Sequence, residues 1–233
     1  MFSRKLKTLK YLYIAVAALL LACASEEQPA EIVLFNGEDL SGWHLYNEEK
    51  TPSIWSVEEG LLTCDPSNDG AFGDLVTDLT YEGDYIFQCS WRVDSAGNSG
   101  IFFHVLETQS LAAPWMSGVE YQILDHSDTT NHNYGDPTRV SGALYGFQEL
   151  PDSTLYHQGD WNHTEVHMQG GVITYFLNGI QTAQMDLNSE SWKSAVAASK
   201  FEEYGVFGKP RNGRIGLQAW KGRVQFKDIS LRR

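Results

Sequence analysis

The chain predicts an all-β fold, a sandwich or jelly roll of two antiparallel sheets, and three observations lead there. From Ile32 onward short β-type runs are separated by Gly, Asn, Asp and Pro. Strands are not interleaved with helices, which excludes a βαβ arrangement. The runs between residues 85 and 124 alternate apolar and polar residues, the pattern of a strand with one face on a core. Around 200 residues beyond the leader suffice for one sizeable core and one domain.

Residues 54–58 and 61–64 form the first hairpin candidate, and 74–77 a short strand after it. In 85–93, Phe87, Cys89, Trp91 and Val93 share the core parity, leaving Gln88, Ser90 and Arg92 opposite. In 100–106, Ile101, Phe103 and Val105 face the core, with Phe102 and His104 opposite. In 119–124, Tyr121 and Ile123 point inward and Glu120 and Gln122 outward. These strands are expected to present a cation, an imidazole, a carboxylate and an amide on one sheet face, a surface suited to a sugar. A strand at 142–145 follows, then 162–169 and 172–177 joined at Gly170-Gly171, where positive φ is cheap. Asn178-Gly179 marks another tight turn. A helix near residues 189–200 has Asn188 or Ser189 as its cap and Glu190 at the positive end of its dipole. Strands at 214–219 and 223–231 complete the chain.

The N-terminus reads as an address. Arg4, Lys5, Lys7 and Lys10 precede an apolar run, residues 11–22, too short to span a bilayer and matching a secretory leader. Leu20-Leu21-Ala22-Cys23 resembles a bacterial lipobox, so residues 1–22 are expected to be removed and Cys23 lipidated. Residues 23–30 form the anchor and a flexible tether, and 31–233 the folded domain. The expected location is the outer membrane of a Gram-negative bacterium, facing the periplasm or the outside. Losing four leader cations and no acid takes the net charge from −13 to −17. So acidic a protein does not suit nucleic acid or an anionic membrane surface.

Cys64 and Cys89 could pair in an exported protein, although Cys89 lies in the core parity of its strand and a buried free thiol is equally consistent. HExxH, regular Cys/His spacing, a P-loop and GxGxxG are all absent, so no cofactor is expected. Two features leave a metal open. The long polar loop 125–140 carries Asp125, Asp128 and Asp136, which could hold a structural Ca2+, and His163, Glu165 and His167 share one parity. An outward-facing polar strand explains the second set better. Loops of this length are commonly functional.

Several motifs, taken in order, resemble one family: Leu34-Phe35-Asn36-Gly37 with Asp39-Leu40-Ser41-Gly42-Trp43, Trp55-Ser56-Val57-Glu58, Gly97-Asn98-Ser99-Gly100-Ile101-Phe102-Phe103, Pro114-Trp115, Glu120-Tyr121-Gln122-Ile123-Leu124-Asp125, Gly142-Ala143-Leu144-Tyr145, Ser199-Lys200-Phe201 and Ile215-Gly216-Leu217-Gln218. This run is similar to the 3-keto-disaccharide hydrolase domain family. The resemblance implies a concanavalin-like jelly roll, a secreted bacterial protein acting on oxidised sugars, and a sugar 3-dehydrogenase acting in the same pathway. One departure stands out: after Gln218 the family commonly has an acidic residue and a histidine, and here the chain reads Ala219-Trp220.

A ketone at C3 acidifies the C2 proton, so a base can form an enolate that expels the C1 oxygen, and water then adds. On this reading Glu120 or His104 is the base, Arg92 and Gln122 stabilise the enolate oxygen, and Asp125 orients His104 or acts on the added water. Trp115, Tyr145, Gln218 and Trp220 would bind substrate. Structural alternatives remain open for each: an Arg92–Glu120 ion pair, a hydrogen-bonded surface His104, and packing tryptophans. The alternating E-x-D-x-E carboxylates of a retaining glucanase are missing. The competing functions are a carbohydrate-binding lipoprotein without catalysis and a hydrolase or lyase for another polysaccharide-derived ligand.

Overall fold

Strand alternation organises the molecule. In the computed structural model, which describes residues 30–48, 53–151, 155–210 and 212–233, β6 (Tyr85–Val93) buries every second residue from Tyr85 to Val93. β7 (Asn98–Val105), β8 (Val119–Leu124), β9 (Asn162–Gln169) and β10 (Val172–Leu177) supply most of the remaining core. The leader 1–22, Cys23 and most of the tether lie outside the described residues.

The larger sheet runs β11 (Ile180–Asp186), β10, β9, β6, β13 (Val224–Arg232), β4 (Leu61–Cys64), β3 (Trp55–Glu58). β4 pairs with one half of β13 and β1 (Glu31–Val33) with the other. A register shift between Lys227 and Ser230, with Asp228 at φ 53°, separates the halves. The smaller sheet runs β2 (Trp43–Leu45), β5 (Leu75–Thr77), β12 (Arg214–Leu217), β7, β8. All pairings within both sheets are antiparallel. The inner faces meet through Phe87 and Phe103, whose rings pack edge-on at 5.3 Å, and through Tyr121 and Tyr175 at 5.1 Å. Buried tryptophans keep their indole N–H bonded: Trp43 donates to Leu34 O at 2.7 Å and Trp91 to Thr164 Oγ1 at 2.8 Å.

The helix α1 (Glu190–Ala197) is capped by the Ser189 hydroxyl, which accepts from Trp192 N at 3.1 Å. It stops at Ala197, short of residue 200. Gly170 and Gly171, at φ 57° and 86°, turn β9 into β10 as expected.

Three expectations are corrected, and the state of Cys64 and Cys89, left open by the sequence, is decided. Segment 142–145 is a turn: Gly142 sits at φ 89° against Leu177, and the Ser141 hydroxyl bridges the backbone of Leu124. β1, β2 and β11 are additional strands; the first two have three residues each, too few to show a period. β6 belongs to the larger sheet, whereas β7 and β8 belong to the smaller one, so the three polar faces do not form one surface. Cys64 and Cys89 are buried free thiols. β13 lies between their strands, a separation of about 9–10 Å, beyond what a disulfide spans.

Candidate active site

Val119, Tyr121 and Ile123 are fully buried between the sheets, so alternation turns Glu120 and Gln122 onto the outer face of the smaller sheet. On the neighbouring β7, Gly100 lies opposite Gln122 and Phe102 opposite Glu120. A Cβ at Gly100 would collide with Glu120 Oε1, so the absent side chain is what makes room for the carboxyl. β12 ends beside them, and Gln218 N continues the ladder to Gly100 O at 2.9 Å.

These groups form the floor of a cleft of about 210 Å3. Trp115, in the 3-10 turn Pro114–Met116, and Tyr145 stand on one side. His132 and Asn133 enter from the loop after β8, and Trp220, 56% exposed, stands at the mouth. Lys200 and Phe201 come from the segment after α1. The Lys200 ammonium lies 4.9 Å from the Tyr145 ring centre, 5.0 Å from Phe201 and 5.9 Å from Trp115, a cation held by π faces. Burial and the Arg139 charge lower its pKa, while Glu120 opposes them.

The Glu120 carboxyl has no hydrogen-bond or ion-pair partner among the described residues. Burial pushes it up to about 8; the Lys200 charge works against this and the Asp74 charge adds to it. An acid so placed exchanges a proton near neutrality. Gln122 is buried, and its amide nitrogen is committed to Asn98 Oδ1 at 2.7 Å, Ser99 O and Ile123 O. It is therefore not the donor expected at an enolate oxygen; the nearby cation is Lys200.

Six of the expected residues meet here: Trp115, Glu120, Gln122, Tyr145, Gln218 and Trp220. Three do not. Arg92 lies on the larger sheet, donating from Nε to Gln225 Oε1 at 2.7 Å and covering the Trp161 ring at 5.0 Å. It forms no pair with Glu120. His104 is buried at φ 61°, a bulge that breaks the alternation of β7. Val105 consequently joins Phe102, Tyr46 and Val76 rather than the main core, and His104 is not among the cleft residues. Asp125 is a loop organiser, its carboxylate accepting from Ala96 N, Ser127 N and Oγ, and Gln158. Burial raises its pKa, but those bonds together hold it low.

Loop 125–140 is built from successive Asx turns. Asp125, Asp128 and Asp136 each accept from the backbone N–H two residues on, at 2.9–3.0 Å. Their carboxylates serve separate turns, and among the described residues no group of three or more His, Cys, Asp or Glu is arranged to hold a metal. In the β9 set, Glu165 accepts from His167 at 3.0 Å and approaches His163 at 3.6 Å on an outer strand face.

Lys200, Phe201, Asn98, His132 and Asn133 were not singled out as site residues from the sequence. Lys200 and Phe201 lie in a motif quoted for the family, and His132 and Asn133 in the long loop. Asn98 opens β7 on the parity of Gly100 and Phe102, within reach of the alternation, whereas the other four lie in turns, about which alternation carries no information.

Two antiparallel sheets packed face to face define a protein of the concanavalin-like jelly-roll class, here with a ring-lined cleft outside the smaller sheet. Residues 30–232 match the 3-keto-alpha-glucoside-1,2-lyase-like domain, and the chain belongs to that family. It is 26% identical over 225 residues to a 3-keto-disaccharide hydrolase of Bacteroides thetaiotaomicron, covering 86% of this chain and 77% of the relative. Two crystal structures from Parabacteroides distasonis, both classed provisionally as glycosyl hydrolases, are also similar. One has TM-score 0.77 at 25% identity, covering 87% of this chain and 93% of the other. The second has TM-score 0.64 at 26% identity, with 87% and 98% covered.

Proposed function

We propose that this protein cleaves the glycosidic bond of 3-keto-glucosides by elimination followed by hydration. The observation that carries the reading is Glu120, an unpartnered cleft carboxyl whose pKa of about 8 is close to that of an effective general base at neutral pH. In its ionised form Glu120 takes the C2 proton of the bound sugar. The C3 oxygen gains negative charge, and the Lys200 ammonium offsets it. The C1–O bond then breaks, the leaving oxygen takes a proton, and water adds across the C1–C2 double bond. The family's description as a 1,2-lyase supports the elimination half, and the relative's description as a hydrolase supports the overall outcome. Trp220 offers a stacking face at the mouth, and Gln218 a polar edge beside it. A reaction oxidising C3 of a glucoside, such as a sugar 3-dehydrogenase performs, must supply the substrate.

The test is to incubate the protein with a 3-keto-glucoside and with the unoxidised glucoside. Cleavage of the keto form alone is expected; equal cleavage of both would remove the enolate route.

A second reading, a sugar-binding protein without catalysis, is favoured by Ala219-Trp220, where relatives commonly carry an acidic residue and a histidine. It predicts binding of keto-glucosides with no turnover.

Cys23 is further proposed as a lipid anchor to the outer membrane. Labelled palmitate should enter the wild type and not Cys23→Ser; labelling of both would refute the anchor.

A further inference from the structure

The β5–β12 ladder ends at the Leu75–Leu217 pair. The next inward N–H beyond β12, that of Ala219, is taken by a side chain: it donates to Asp74 Oδ1 at 2.8 Å. Ala219 lies between Gln218 and Trp220, both cleft residues. The arm is pinned on its other edge by Ser99 Oγ, which donates to Gln218 O at 2.8 Å, and by Lys221 N, which donates to Asn98 O at 3.1 Å. Asp74 is itself fixed, because its carbonyl accepts from Tyr46 N at 2.9 Å and the preceding Gly73 O from the Trp55 indole at 2.8 Å. Its second carboxyl oxygen accepts no hydrogen bond among the described residues.

We propose that Asp74 is a positioning residue of this cleft: through the Ala219 N–H it clamps the arm carrying Gln218 and Trp220. The inference rests on the reading of Glu120 as the acid–base group of the site. Burial raises the Asp74 pKa to about 7, with the Ala219 N–H opposing, and the Asp74 charge contributes to the rise at Glu120. The charge on Asp74 therefore links its titration to that of Glu120. The other groups facing Glu120 are Lys200 after α1, and Tyr145 and His132 from loops, with Arg139 beyond Lys200 and Tyr145. Those facing Asp74 are Tyr46 after β2 and Cys64 on β4, both of which its charge raises.

The experiment is a carboxyl NMR titration of the purified protein labelled at glutamate Cδ, with the Glu120 signal assigned by its loss in Glu120→Gln. Asp74→Asn is expected to lower the Glu120 midpoint, because it removes a charge that raises it. An unchanged midpoint overturns the linkage. The wild type supplies a check that survives a poorly folding variant. The Ala219 amide proton and Trp220 emission should shift with a midpoint near that of Asp74, and an Ala219 amide that does not move overturns the clamp. Turnover separates this proposal from the reading beneath it. Linked titration without cleavage of any keto-glucoside removes the enzyme and leaves Asp74 shaping a binding site. Cleavage with unlinked titration and an unmoved Ala219 amide removes the role of Asp74 alone.

Discussion

Glu120 owes its character first to burial, which raises its pKa, then to Lys200, which draws it toward ionisation, and to the Asp74 charge, which resists; Gly100 leaves it space. Replacing it with Gln keeps the shape and removes the base, so kcat should fall about 10²–10⁴-fold with sugar affinity retained. Steady-state kinetics beside calorimetric binding checks this, and a wild-type kcat would dismiss Glu120. Lys200→Met should lower kcat about 10²-fold with a smaller effect on KM, because its charge matters most once the enolate forms. A rise in KM alone would mark Lys200 as a binding group only. Glu120 and Gln122 were legible in the sequence because β8 alternates without interruption. His104 was misread because one left-handed residue reverses the parity of everything after it. Arg92 was misread for another reason: alternation tells which face a residue takes, not which sheet its strand joins.

At the scale of elements, α1 anchors the Lys200 wall of the cleft. Trp192 donates its indole N–H to Gly208 O at 2.9 Å and packs on Phe147, while Phe201 stacks on Phe207 at 4.0 Å. Lys200 is thereby held next to a rigid aromatic cluster. Ser189→Ala removes the cap of this helix and should cost about 1 kcal/mol in denaturant unfolding; no loss would show that packing alone fixes the helix end. The hairpins at Gly170-Gly171 and Asn178-Gly179 were readable because positive φ demands those residues. The three-residue strands β1 and β2 were not, since tertiary pairing rather than local pattern makes them strands. The turns of loop 125–140 are written in its sequence as D-x-S, D-x-T and N-x-N. That the loop brings His132 and Asn133 over the cleft is a long-range fact that no local pattern encodes.

For the whole molecule, two partly buried carboxyls with raised pKa values set a direction to its pH dependence. A raised carboxyl binds its proton more tightly folded than unfolded. Stability is therefore greatest below the unfolded value and falls as pH rises through the folded one. For Glu120 the window runs from 4.5 to about 8, and for Asp74 from 3.8 to about 7. Unfolding free energy should drop across these ranges, and Glu120→Gln should recover up to about 5 kcal/mol at the alkaline end. A pH-independent difference between variant and wild type would show that Glu120 is not perturbed. The free thiols bear on stability as well: a reductant should leave the melting temperature unchanged. The layered β architecture was readable from strand spacing because antiparallel strands with one wet face announce themselves, whereas the strand order of each sheet emerges only from packing.

The most direct measurement of the central claim follows deuterium at C2 of a 3-keto-glucoside in heavy water, by NMR, with wild type and Glu120→Gln side by side. Deuterium entering at C2 as the sugar is cleaved by the wild type, and neither event with Glu120→Gln, is the predicted result. Cleavage at equal rates by both proteins, or cleavage leaving the C2 proton in place, would contradict proton abstraction by Glu120.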